Sequence, residues 1–286
     1  MNRLKLAFIA ATALLATTAA SAETTTFEDD VSGLTESQME TTVEFAFDNG
    51  LFFLFHEMGH MLISEFDLPV LGREEDAADT LSTLILLEMD DAVFDKALAD
   101  SVEGWKMSYE AGEEPDLWDT HSLDRQRAYH MVCMMVGKNA EKFRKVANDL
   151  EMPDDRREEC ADDYTKAHAS WFGLLEKHVR KTGKEPGFTV SYQNPKDKNL
   201  SDYAELVKVS SMLEIVQQVA AMYKLKDGIK LTASECGDAN AYWSADDREL
   251  TYCYELSQWY TQAMAGTFQQ EVGDAGDVRD AGSARE

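Results

Sequence analysis

Between residues 36 and 66 apolar positions first recur at helical spacing and then close up. Leu51-Phe52-Phe53-Leu54-Phe55 and Met61-Leu62-Ile63 leave almost no polar face, so the pattern predicts a helix from about Glu36 to Phe66, buried all round in its second half. Asn49-Gly50 predicts a break or irregular turn inside it. Leu68-Pro69-Val70-Leu71-Gly72 reads as a connector. A second helix is expected from about Arg73 through Leu81, Leu84, Ile85, Leu86 and Leu87 to about Asp100. Gly112-Glu113-Glu114-Pro115-Asp116 predicts a loop, and helical spacing resumes over about 122–149, 157–182 and 201–225, punctuated by Pro153 and Gly183. Phe188–Tyr192 and Ile229–Ala233 read as strands. So do Ala241-Tyr242-Trp243 and Glu249-Leu250-Thr251-Tyr252, which flank Ser244-Ala245-Asp246-Asp247 as a hairpin. A last helix is expected over about 253–268.

The two ends carry little core. Residues 1–22 combine Arg3 and Lys5, the apolar run Leu6 to Leu15 and Ala20-Ser21-Ala22, the marks of a secretory signal peptide with an A-x-A cleavage site. Residues 23–37 are Thr-rich and acidic, an extended lead-in. Residues 269–286 are rich in Gly, Asp and Ala, and are expected to form a disordered tail. Between them, residues 23–268 are long enough for one domain with a sizeable core, its helical part over about 36–225 and its strands and last helix over about 187–268. No later stretch reaches membrane-spanning length.

Charge narrows the choice of partners. The chain has 54 acidic and 27 basic residues, a net charge of −27. Such a surface repels nucleic acid and anionic membranes. Four cysteines, Cys133, Cys160, Cys236 and Cys253, in an exported chain favour two disulfides. Three pairings are possible. Local pairing is preferred, with Cys133–Cys160 stapling two successive helices and Cys236–Cys253 clamping the arms of the hairpin. No C-x-x-C spacing offers a Cys₄ zinc site.

The candidate chemistry lies in the all-round apolar helix. His56-Glu57-Met58-Gly59-His60 reads H-E-x-x-H. Residues i and i+4 share one helix face, so the two imidazoles can bind one Zn²⁺ while Glu57 stands by as general base for a metal-activated water. A charged Glu57 among bulky apolar neighbours is costly unless something pairs with it. Glycine inside a helix costs about 1 kcal/mol relative to alanine, so Gly59 implies a second backbone packed close by. A catalytic zinc takes a third protein ligand. If the second helix runs antiparallel to the first, its acidic first turn returns past the histidines. Glu75 is the preferred third ligand, Glu74 is its rival in the neighbouring register, and Asp79 is placed to orient a histidine through its other ring nitrogen. The same acids would suit a helix N-terminus in any protein. For a donor to a developing oxyanion the candidates are His121, Tyr242, Tyr252 and Tyr254. His130, His168 and His178 sit among charged neighbours on separate helices and read as surface or core residues.

His56-Glu57-x-x-His60 followed by Glu75-x-x-Ala78-Asp79 resembles the gluzincin clan of zinc peptidases. Most of the chain is similar to a bacterial metallopeptidase-like family labelled as a domain of unknown function. The resemblance is carried by Phe55–His60 with Leu68–Asp79, by His121–Arg127 leading to Cys133, and by Glu235–Trp243 with Leu250–Leu256. It implies a zinc-peptidase-like core, with His56, His60 and Glu75 on the metal, Glu57 as base and Asp79 behind a histidine. It also implies that the hairpin over 240–252 offers an edge on which extended substrate adds as a strand. The expected fold class is α+β, mainly helical, with zincin-like active-site helices, a small antiparallel sheet or hairpin and a helical extension. The expected function is an exported zinc-dependent peptidase acting on peptide or protein substrates. The alternative is an inactive zinc-binding relative that binds peptides or a partner protein.

Overall fold

The long apolar helix is the centre of the fold's core. A computed structural model describes residues 25–110 and 117–283, with side chains to Gln270. The expected leader (1–22) and the 112–116 loop lie outside the described residues. In chain order the elements are α1 (Phe27–Asp30), α2 (Glu36–Phe66), α3 (Glu74–Glu88), α4 (Ala92–Glu110), α5 (Asp124–Lys138), α6 (Arg144–Asp149), α7 (Asp154–Leu175), β1 (Phe188–Tyr192), α8 (Ser201–Ser210), α9 (Met212–Ala220), β2 (Ile229–Ser234), β3 (Ala241–Ser244), β4 (Glu249–Cys253) and α10 (Tyr254–Ser283). The protein is α+β and mainly helical.

α2 starts on a capping box, in which the Thr35 hydroxyl accepts from the Gln38 N–H and the Gln38 side chain accepts from the Thr35 N–H. It ends where Asp67 turns left-handed at φ 48°. Between these points it packs against α3, α4, α9 and α10 and against the sheet through β3 and β4. Phe45, Leu51, Phe52, Leu54, Phe55, Met58, Met61 and Leu62 are fully buried. Each such side chain contributes about 1.5–3 kcal/mol of transfer free energy. Asn49-Gly50 does not break the helix. The glycine is needed because Tyr252 stands against it, and a Cβ at Gly50 would lie 2.5 Å from the Tyr252 hydroxyl.

Three expected helices are each divided. The 73–100 helix stops at Glu88 and restarts at Ala92, with Asp90 left-handed at φ 48° between them. The 122–149 helix is interrupted over 139–143, and the 201–225 helix is cut at Ser211, φ 56°. Apolar periodicity continued across each junction and so hid the turn. The 157–182 helix begins at Asp154 and gives way to a 3₁₀ turn at Glu176–His178. α10 runs on to Ser283, into the stretch expected to lack order; no proline interrupts it.

The four strands follow the order β1-β2-β4-β3. The sheet is mixed, not antiparallel throughout: β1 with β2 and β2 with β4 are parallel, and β3 with β4 is the antiparallel hairpin. The α8–α9 crossover returns the chain to the start of the sheet and makes β1 and β2 parallel. β3 then runs back along the outside, leaving β4 between it and β2. Both disulfides pair locally, Cys133–Cys160 at 5.0 Å between Cα atoms and Cys236–Cys253 at 5.4 Å. Cys133–Cys160 joins α5 to α7, across α6. Cys236–Cys253 ties the end of β4 to the loop leaving β2, not the two arms of the hairpin, because Cys236 precedes β3.

Candidate active site

The site forms where α2 and α3 come closest. A Cβ at Gly59 would lie 3.2 Å from the Ala78 Cα and carbonyl oxygen, so the missing side chain is what lets the two backbones meet. The contact brings the first turns of α3 past the imidazoles of α2. His56 Nε2 lies 3.2 Å and His60 Nε2 3.0 Å from Glu75 Oε2, and the two ring nitrogens are 3.2 Å apart. Glu74 points to the other side of His60, with Oε1 2.9 Å from Nδ1. Asp79 Oδ1 meets His56 Nδ1 at 2.7 Å.

Both histidines therefore have a carboxylate at Nδ1. That partner favours the tautomer with the proton on Nδ1 and the lone pair on Nε2. Two lone pairs and the Glu75 carboxylate then converge on one point with no donor among them. Such a centre lacks a cation, which either a proton or a metal ion can supply. Three donors at about 2.0–2.2 Å from a tetrahedral ion stand about 3.3 Å apart. The observed separations match that spacing, so the residues fit a metal of the kind that two imidazoles and a carboxylate hold.

The proton affinities show the same shortage. Burial works against a charged His56, but hydrogen bonds to Asp79 and Glu75 outweigh it and raise its pKa. For His60 burial is likewise overcome by Glu75 and Glu74, and its pKa is pushed up to about 9. Hydrogen bonds from His121, His56 and His60 hold Glu75 far below the usual carboxylate range. Glu57 goes the other way, since its own burial raises its pKa against the pull of the two histidines. Its Oε1 is 4.0 Å from His56 Nε2, and the Trp243 backbone on β3 adds a smaller pull in the same direction as the histidines.

His121, on the exposed loop before α5, reaches the same point. Its Nε2 is 3.1 Å from Glu75 Oε2, its Nδ1 is 2.9 Å from Asp119 Oδ1, and Arg73 donates to its carbonyl oxygen at 2.8 Å. The tyrosines named beside it are otherwise engaged. Tyr252 is fully buried with its hydroxyl 2.7 Å from Ser257 Oγ, Tyr254 donates to the Gln193 and Ala233 carbonyls, and Tyr242 donates to Asp238. His130 meets Thr80, His168 faces Glu88 and His178 stacks on Phe66, all away from the site. Sequence patterns missed two contributors. Arg127 grips Asp79 from α5, and the Trp243 backbone lowers the Glu57 pKa. The first was an arginine with no motif, and the second is a backbone group without any side-chain signal. A second grouping, Cys236, Cys253 and Glu255, has its sulfurs joined as a disulfide. An apolar cavity of about 700 Å³ lies near the other end of α2, between Met39, Val43, Phe47, Leu206 and Met212, and does not touch the histidines.

The chain matches the family DUF4344, described as "Putative metallopeptidase", over residues 15–175 and 192–282, and belongs to it. No curated protein and no solved structure matches the chain. Membership implies a metal and a peptidase-type hydrolase. Among the described residues no helix is long and apolar enough to cross a membrane.

Proposed function

We propose that the protein is an exported zinc-dependent peptidase, with His56, His60 and Glu75 as the metal ligands and Glu57 as general base. The observation that carries this reading is the convergence of His56 Nε2, His60 Nε2 and Glu75 Oε2 within 4.8 Å of one another, with the Glu57 carboxylate beside them. A bound zinc ion would supply Lewis acidity to water and to the substrate carbonyl. The protein's own groups do the rest. Glu57, with its raised pKa, takes a proton from the attacking water and returns it to the leaving amine. Asp79 orients His56, and Glu74 orients His60. His121, half-exposed and bonded to Asp119, donates toward the developing oxyanion.

Three features favour an extended polypeptide as substrate. Among the described residues β3 is an edge strand, paired only with β4. Its Asn240 carbonyl turns toward β4, where it accepts from the Cys253 N–H, so alternation turns the Trp243 backbone outward to the site. Arg73 ties the loop holding Leu71 to the loop holding Leu117 and Trp118, and these are the three most exposed large apolar side chains among the described residues. Export is favoured by the leader-like N-terminus and by two disulfides that need an oxidising compartment.

The test is metal content and cleavage of unfolded casein by the mature chain. Glu57→Gln should keep the zinc and lose at least about 100-fold in rate. Equal activity in both forms sinks the mechanism, and zinc without cleavage points to the binding protein instead. Glu75→Gln should strip zinc far more than Glu74→Gln. The reverse order would move the ligand by one register.

A further inference from the structure

Behind His56 the hydrogen-bond chain continues to a buried arginine. Arg127, in the first turn of α5, donates from Nε to Asp79 Oδ2 at 2.7 Å and from Nη2 to Asp79 Oδ1 at 2.8 Å. The same Oδ1 receives His56 Nδ1 at 2.7 Å. The Trp105 ring of α4 covers the guanidinium, whose carbon lies 3.8 Å from the ring centroid. Arg127, Asp79, His56 and Trp105 are all buried.

We infer that Arg127 is a positioning residue for the metal centre, fixing the plane of the Asp79 carboxylate and through it the ring of His56. This rests on the metallopeptidase reading above and goes beyond it, because that reading needs only the three ligands, Glu57 and Asp79. A carboxylate held at one oxygen swings about its Cβ–Cγ bond. A two-pronged guanidinium contact removes that freedom, and Trp105 in turn keeps the guanidinium flat. His56 Nδ1 then meets an oxygen already in place, and Nε2 is aimed at Glu75 and His60 before any ion arrives. The rival role for Arg127 is to balance the buried Asp79 charge and nothing more. Lysine separates the two, since it carries the charge as a point but lacks the fork.

The experiment compares wild type, R127K, D79N and R127Q/D79N. Folding is followed by circular dichroism, zinc affinity by competition with a chelator, and the His56 ring by long-range ¹H–¹⁵N spectra of the metal-free protein. Wild type should show a single Nδ1–H tautomer at His56. R127K should fold, show averaged His56 ring shifts and bind zinc about 10–100-fold more weakly, the range for loss of an outer partner of a metal ligand. R127K with wild-type affinity and a wild-type His56 spectrum would overturn the orienting role and leave charge balance. Should R127K not fold, D79N and R127Q/D79N decide. Equal zinc affinity in these two supports action through Asp79, and a further loss in the double variant overturns it. Wild type that takes up no zinc defeats the metal assignment instead, and the His56 spectra still decide whether Arg127 orients the ring.

Discussion

At the scale of single residues the centre is a contest between protons and metal. His60 has its folded pKa raised to about 9, above the ordinary histidine value of 6.5. In the metal-free protein its charged form therefore stabilises the fold fully below pH 6.5, and that contribution is lost as pH rises through about 9. His56, raised as well, acts in the same direction. Urea midpoints of the metal-free protein should fall between pH 6.5 and 9, and zinc should flatten the decline; a midpoint that climbs over this window would contradict the assignment. How much of this was legible differs residue by residue. The i, i+4 spacing of His56 and His60 is visible because a helix turns it into proximity. Glu75 and Asp79 are visible once α3 is taken to run back along α2. Arg127 is 48 positions from Asp79 and belongs to no local pattern. The Trp243 contribution is from the main chain, and it depends on where the strand docks.

At the scale of elements the closeness of α2 and α3 decides whether the proposed ligands can meet. A Cβ at Gly59 would stand 3.2 Å from the Ala78 backbone, tighter than ordinary van der Waals contact. Gly59→Val should push α3 outward, cost about 1–3 kcal/mol through overpacking, and lower zinc affinity more than Gly50→Ala does, since Gly50 faces Tyr252 and not α3. Zinc titration of the two variants beside their thermal melts checks this. Long apolar runs and β-alternation were enough to place α2 and all four strands. Helix ends were harder to see. Asp90 and Ser211 adopt left-handed backbone without a glycine, at φ 48° and 56°, so neither turn carries its usual marker. Strand pairing depends on the α8–α9 crossover, which the strand sequences themselves do not contain.

At the scale of the whole molecule, covalent ties and charge act together. The loops closed by Cys133–Cys160 and Cys236–Cys253 span 27 and 17 residues. Chain-entropy arguments value loops of this size at about 3 kcal/mol each. A chain of net charge −27 repels itself, and staples offset that strain most at low salt. Reduction with dithiothreitol should therefore lower the melting temperature, and by more in dilute buffer than at about 1 M salt. An equal drop under both conditions would separate the disulfides from the charge.

His56, His60 and Glu75 fall within 20 consecutive residues, whereas β3, whose Trp243 backbone bears on Glu57, lies far along the chain. During synthesis from the N-terminus, the proposed metal ligands emerge long before the strand that lies beside Glu57 and forms the proposed substrate edge. The proposed metal ligands and the proposed substrate edge therefore enter the fold at different times. On the proposed function, the edge on which a substrate would lie is complete only once the last third of the chain has folded.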